Sequence, residues 1–308
     1  MSPCASALYS AAMKSLPAGA RIDQGRGGLE RLVLEAGEGE THVYTHGANV
    51  FHFQPKGGRP VLTASSRSEF EAGAPGKAIR GGVPICFPWF GGKAGEPAAP
   101  PHGVARLLTW GIDSVTREAD GRLKAVLSLA SGDFTRGKFP HDFALSLTVT
   151  VGRSLAMTLA VRNTGGAPFT FEEALHSYLA VSDARQIAIA GLEKTTYIDK
   201  TDAFKRKVAG DEPLVLTGET DRVFLGTRAT VSVSDPAWQR RIVVSKSGSD
   251  TTIVWNPWSE KAKTIPDLGD DDWTGMVCVE TANAADNAIT LAPGQTHTVE
   301  ARIEVQSA

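Results

Sequence analysis

The chain has 308 residues, 42% of them hydrophobic, which is enough for one large β domain or two ordinary ones around a substantial core. Its 32 basic and 34 acidic residues leave a formal charge of -2, and the absence of a dense lysine or arginine run argues against nucleic acid as a partner. No apolar run approaches the roughly 20 residues that span a bilayer, and the N-terminal MSPCASALYSAAMKSLPAG lacks the basic start and apolar core of an export signal.

A protein without membrane contact is therefore expected. The three cysteines, Cys4, Cys86 and Cys278, are scattered and form no C-x-x-C pair, so neither a disulfide framework nor a zinc cluster is indicated and a reducing cytoplasm fits. Residues 5–16 are compatible with a short helix, and a glycine-rich lead-in follows, so that residues 1–27 read as a lead-in and residues 28–308 as one domain. From Leu29 onward the apolar period is two: LERLVLEA, THVYTHGANVFHFQP, LKAVLSLA, FALSLTVTV, SLAMTLAVRN, QRRIVVSKS, TTIVWN, MVCVETA and HTVEARIEV. Turn signals separate these runs, and there is no fixed repeat. An all-β chain forming one large antiparallel β-sandwich is expected. Two long stretches resist a strand reading, residues 65–106 and residues 256–274, and long ordered loops in a compact domain tend to carry function.

The first of these loops contains IRGGVPICFPWFGG and then PPHGVAR. Its Arg80 and Arg106 can clamp a phosphate or carboxylate through their planar guanidinium forks, with aromatic rings covering a sugar face. The plainer reading is two surface arginines paired with nearby acids, with His102 a loop hydrogen-bonder. In FEEALHSYLAV, an extended backbone sends Leu175, Leu179 and Val181 one way and Ala174, His176, Tyr178 and Ala180 the other. The second face is either a core layer with a satisfied histidine or the floor of a pocket. Glu280 lies in MVCVETA among residues apolar on both faces, where an unpartnered carboxylate is costly. It is either held for a task or sits at a frayed strand end in solvent. A histidine and a glutamate on separate strands are the two groups needed to move protons on opposite sides of a small substrate.

Other chemistries lose support. No G-x-S-x-G elbow, H-E-x-x-H, phosphate-binding loop or strand-linked G-x-G-x-x-G occurs. The acidic run Asp270, Asp271 and Asp272 lacks EF-hand spacing and reads as a solvated loop. The seven histidines contain no tight H-x-H pair, so no metal site is expected.

Read in order, IRGGVPICFPWFG, HGVAR, FEEALHSYLAV, GETDRVF and VETAN resemble the aldose 1-epimerase superfamily, in particular its hexose-6-phosphate mutarotase branch, over about residues 28–305. The resemblance implies a galactose mutarotase-like supersandwich, with His176 as general acid, Glu280 as general base, and no cofactor, metal or covalent intermediate. It places His102 near the sugar, to hold a hydroxyl or assist His176, Asp221 as an acceptor for sugar hydroxyls, and Arg80 and Arg106 at the phosphate or the sugar oxygens close to it. The segment VLTASSRSEF lacks a tryptophan of the bacterial pattern, and APGK lengthens the loop before Ile79. The expected activity is interconversion of the α and β anomers of a hexose 6-phosphate, with D-glucose 6-phosphate as first candidate, by a monomer. Alternatives are a noncatalytic carbohydrate or sugar-phosphate binder and a mutarotase of a free aldose such as galactose.

Overall fold

The computed structural model of the protein describes residues 16–307, so the helix expected over residues 5–16 lies outside the described residues apart from Leu16. Alternation of apolar and polar side chains builds most of the architecture. In FALSLTVTV (Phe143–Val151) and LAMTLAVRN (Leu155–Asn163) every second side chain is buried, the signature of strands with one face on a core. They pair antiparallel at the heart of a nine-stranded sheet that runs Leu214–Val215, Ala188–Ala190, Val231–Asp235, Arg240–Ser247, Thr296–Ser307, Leu155–Asn163, Phe143–Val151, Leu123–Ala130, Gly111–Arg117.

A second sheet of eight strands carries the site. Its order is Lys205–Val208, Thr196–Asp199, Thr220–Leu225, Thr251–Asn256, Met276–Asn283, Glu173–Leu175 and Ile85–Cys86, with Tyr178–Ala180 also paired to Met276–Asn283. One face of this sheet contributes Leu175, Leu179, Phe224, Val254, Val277 and Val279 to the same apolar core as Leu145, Leu147, Leu159 and Val161 of the nine-stranded sheet. The large antiparallel sandwich read from the period of two is therefore the observed fold. A consecutive four-stranded meander, Ala20–Gln24, Glu30–Glu35, Gly39–Tyr44 and Asn49–Pro55, adds Leu32, Leu34, Val43 and Phe53 to that core. Its first strand falls within the lead-in assigned to residues 1–27, where flanking glycines hid a five-residue β segment.

FEEALHSYLAV is not one unbroken strand. The hydrogen-bond ladder stops after Leu175 and resumes at Tyr178, yet both pieces keep one register on Met276–Asn283, with Leu175 opposite Thr281 and Tyr178 opposite Cys278. Between them Ser177 N–H folds back onto Leu175 O at 2.9 Å, leaving one cross-strand bond from Val279 N–H to Ser177 O at 3.2 Å, while on the other edge His176 N–H donates to Pro84 O at 3.1 Å and Tyr178 N–H to Gly82 O at 2.9 Å. The alternation of faces survives the break because the register does.

The two long loops lie over one another and are clasped together. Asp272 Oδ2 accepts from Ser65 Oγ at 2.9 Å, Ser66 N–H at 2.8 Å and Gly269 N–H at 2.8 Å, and Arg67 forks onto Asp270 at 2.7 and 3.1 Å. The acidic run read as a solvated loop is thus corrected: two of its three carboxylates join the loops. The sequence conceals this because the partners are some 200 residues away in the chain.

Candidate active site

Continuing the register of Glu173–Leu175 and Tyr178–Ala180 against Met276–Asn283 sets His176 directly across from Glu280. Cross-strand neighbours on one face are close enough to touch, and His176 Nε2 lies 3.4 Å from Glu280 Oε1. Glu280 is 1% exposed and His176 6%, so the frayed-end reading of the glutamate fails. Both Glu280 oxygens and His176 Nδ1 are buried without a hydrogen-bond partner. Native proteins pair such atoms nearly always, and an exception calls for an explanation such as a catalytic or ligand-binding role.

The outer face of the eight-stranded sheet supplies the surroundings. Ile253 is opposite Glu280 and Trp255 opposite Cys278, while Asp221 is opposite Trp255, so His176, Glu280, Trp255 and Asp221 share that face. Tyr178 stacks on His176 with ring centroids 4.9 Å apart and planes 14° apart, and Trp255 meets the imidazole edge-on at 6.1 Å. The small residues Ala174 and Ala282 floor the same side beside Cys86.

The glycine-rich loop places the remaining groups. Gly103 adopts φ +78, and a Cβ there would lie 2.0 Å from Phe87 O; only glycine allows His102–Gly103 to press this close to the FPW segment. His102, itself at φ 61, thereby brings its ring 5.4 Å from that of His176, edge-on, with Nδ1 3.4 Å from Cys86 Sγ and 3.3 Å from Gly91 N–H. Phe90, anchored by its N–H to Glu172 Oε2 at 2.9 Å, meets His102 edge-on at 4.9 Å.

Cations ring the pair. Arg80 Nε is 2.7 Å from Asp267 Oδ1, and its Nη1 donates to Tyr178 Oη at 3.3 Å. Arg106 donates from Nη2 to Pro101 O at 2.7 Å, and its Nε is buried and unpartnered. No carboxylate pairs with Arg106 among the described residues. The surface-pair reading therefore fits Arg80 in part and Arg106 not at all. Lys200, unmarked in the sequence, bonds Asp221 Oδ2 at 2.8 Å and lies 5.4 Å from the Phe90 ring centroid. Asp267 belongs to the second long loop, already marked for function, but nothing local distinguished it from its neighbours.

These contacts fix the electrostatics. Burial drives the His176 imidazole well below its ordinary value, and Arg106, Arg80 and Lys200 push it the same way. Burial drives Glu280 well above the usual carboxylate range, reinforced by Asp221 and opposed by Lys200 and Arg106. His102 is likewise held well below its usual value by burial and then by Arg106. Both shifts disfavour the charged forms, so without substrate burial favours a neutral imidazole and a protonated carboxyl over the ion pair. A cavity of about 510 Å³ lined by Lys56, Arg59, Trp238 and Arg240 contains none of these groups, so unpartnered buried atoms, rather than void volume, mark the candidate site.

Comparison with known proteins gives a consistent match. The sequence profile of the aldose 1-epimerase family covers residues 30–304. A Cenchrus ciliaris protein provisionally named glucose-6-phosphate 1-epimerase is 35% identical over 279 residues, which cover 87% of this chain and 82% of that one. An Escherichia coli protein with the same provisional name is 32% identical over 258 residues, covering 84% of each chain. The crystal structure of a provisionally assigned mutarotase, YeaD of Salmonella typhimurium, superposes with a TM-score of 0.87 at 29% identity, over 96% of this chain and 97% of that one.

Proposed function

The chain belongs to the aldose 1-epimerase family, and on that premise we propose that it is a hexose-6-phosphate mutarotase, interconverting the α and β anomers with D-glucose 6-phosphate as first candidate. The observation that carries the reading is the buried His176–Glu280 pair, whose carboxylate oxygens have no hydrogen-bond partner and whose surroundings are cationic. A noncatalytic binder would have no need to keep both titratable groups in that setting.

In the mechanism, Glu280 takes the proton of the anomeric hydroxyl while His176 gives one to the ring oxygen, and the C1–O5 bond opens to the aldehyde. Rotation about C1–C2 and reclosure with the roles reversed give the other anomer. Each acid or base contribution is worth about 10²- to 10⁴-fold. One proton shared by the pair suffices, since one group gives as the other takes. His102 and Asp221 hold sugar hydroxyls, and Arg80 and Arg106 hold the phosphate.

The phosphate also bears on the chemistry. Bound between the arginines, it offsets the positive field that depresses His176, so the shared proton moves toward the imidazole and leaves Glu280 ionised. A free hexose brings no such charge. Magnetisation exchange between anomers, followed by NMR on glucose 6-phosphate and separately on galactose, tests this reading. Faster exchange on the phosphosugar supports it. Acceleration of galactose alone would overturn the phosphate assignment, and no acceleration of either would overturn the enzyme.

A further inference from the structure

A second cluster of ligating side chains stands on the four-stranded meander, away from the eight-stranded sheet that bears the site. Glu40 and His42 are two residues apart on Gly39–Tyr44 and so share a face, and His52 on Asn49–Pro55 is directly opposite His42. A register irregularity follows at His42/Val43. His52 Nε2 is 3.2 Å from Glu40 Oε1, the two imidazole centroids are 4.7 Å apart, and one ligand atom from each of the three residues lies within 4.8 Å of the others. No tight H-x-H pair marks this cluster in the sequence, because its pattern is E-x-H completed across the ladder.

From this geometry we propose that Glu40, His42 and His52 form a site for one divalent first-row transition ion, with solvent completing the coordination. Two imidazoles and a carboxylate are a donor set that suits zinc and its neighbours in the series. Arg31 is forked onto Asp23 at 2.8 and 2.9 Å and Arg21 is paired with Glu35, so both nearby cations are engaged by other carboxylates, although their positive field still reaches the imidazoles. Among the described residues no lysine or arginine engages Glu40, which leaves its charge for the ion. Thr41 Oγ1 donates to His52 O at 2.6 Å and fixes the opposing backbone. The side chains of His52 and Glu40 are 20% and 39% exposed, which gives the ion a way in. Bound there, it would clamp two strands of the meander.

The test is calorimetric titration of untagged, metal-stripped full-length protein with Zn²⁺, alongside thermal unfolding with and without the ion. One ion per chain and a raised unfolding midpoint are expected. His42→Gln and His52→Gln, half-buried changes checked for folding by circular dichroism, should each weaken binding by at least the roughly 10- to 100-fold that losing even an outer partner costs. Both should abolish the midpoint shift and leave anomer exchange unchanged. The Co²⁺ complex should lack a thiolate charge-transfer band. Absence of zinc binding would overturn the proposal, as would binding that survives both substitutions. So would a thiolate band lost in Cys278→Ser, because His176, Cys278 and Glu280 also approach one another within 4.8 Å and the ion would then sit in the pocket.

Discussion

Arg106 is half-buried, has no acid partner among the described residues, and is pushed below its ordinary value by burial. An unpaired cation in that position works against stability, which accords with the proposed role of Arg106 in holding the phosphate. Arg106→Leu is therefore expected to raise KM for the phosphosugar roughly tenfold to hundredfold, the worth of a charge-assisted bond, while the urea midpoint stays level or rises. A falling midpoint with unchanged KM would mark it as structural. The pH profile of exchange on the phosphosugar tests the pair itself. With His176 shifted down and Glu280 shifted up, the one-proton state that the proposed mechanism needs is favoured between the two values. A plateau through neutrality is expected, with its acid limb below the ordinary histidine value of about 6.5. At this scale His176 and Glu280 were legible because each broke an apolar pattern, and the arginines because they sat in a rigid glycine-rich loop. Lys200 and Asp267 were not, since an isolated lysine or aspartate acquires meaning only from what folding brings beside it.

At the scale of elements, the clasp between the two long loops sets how Arg80 is presented. Burial would raise the Asp272 carboxyl, but donors from Ser66, Ser65 and Gly269 outweigh it and hold the group below its usual value. The resulting stabilisation is present above the unfolded value of about 3.9 and is lost as pH falls through the depressed folded value. Asp272→Asn is expected to cost about 1–3 kcal/mol in urea unfolding and to raise KM, because Asp267, the partner of Arg80, rides on the same loop. If the variant unfolds at the wild-type midpoint and binds substrate normally, the clasp has no such role. Both loops are legible in the sequence but the joint between them is not, because its partners lie some 200 residues apart in the chain. The alternation in FEEALHSYLAV shows its faces but not its interruption, because Ser177 N–H folds back onto Leu175 O in a turn that the apolar pattern does not register.

For the whole molecule, the period of two made the sandwich legible, whereas the sheet order, which joins strands from opposite ends of the chain, was not. Leu159 belongs to the core shared by the two large sheets, and Leu159→Ala is expected to cost about 2–5 kcal/mol in denaturant unfolding while anomer exchange per folded molecule is unchanged. A loss of exchange equal to that of a site variant would mean the core also tunes the pocket. A buried polar joint ties the sheets near their ends: His297 Nε2 is 3.0 Å from Glu173 Oε1, and Asn283 Nδ2 donates to the same oxygen at 3.1 Å. Glu173 raises the His297 value, so its stabilisation is complete below the unfolded value of about 6.5 and is lost as pH climbs through the raised folded one. The urea midpoint of wild type should decline over that window relative to His297→Gln. Parallel curves would rule the joint out.

The most direct measurement is NMR anomer exchange on glucose 6-phosphate with Glu280→Gln, His176→Asn and the double variant, each checked for binding of the sugar phosphate. Exchange should fall by about 10²- to 10⁴-fold in either single variant, and little further in the double because the two groups act as one unit, with binding kept. Exchange at the wild-type rate in either single variant would contradict the assignment of the buried pair as the proton-transfer machinery.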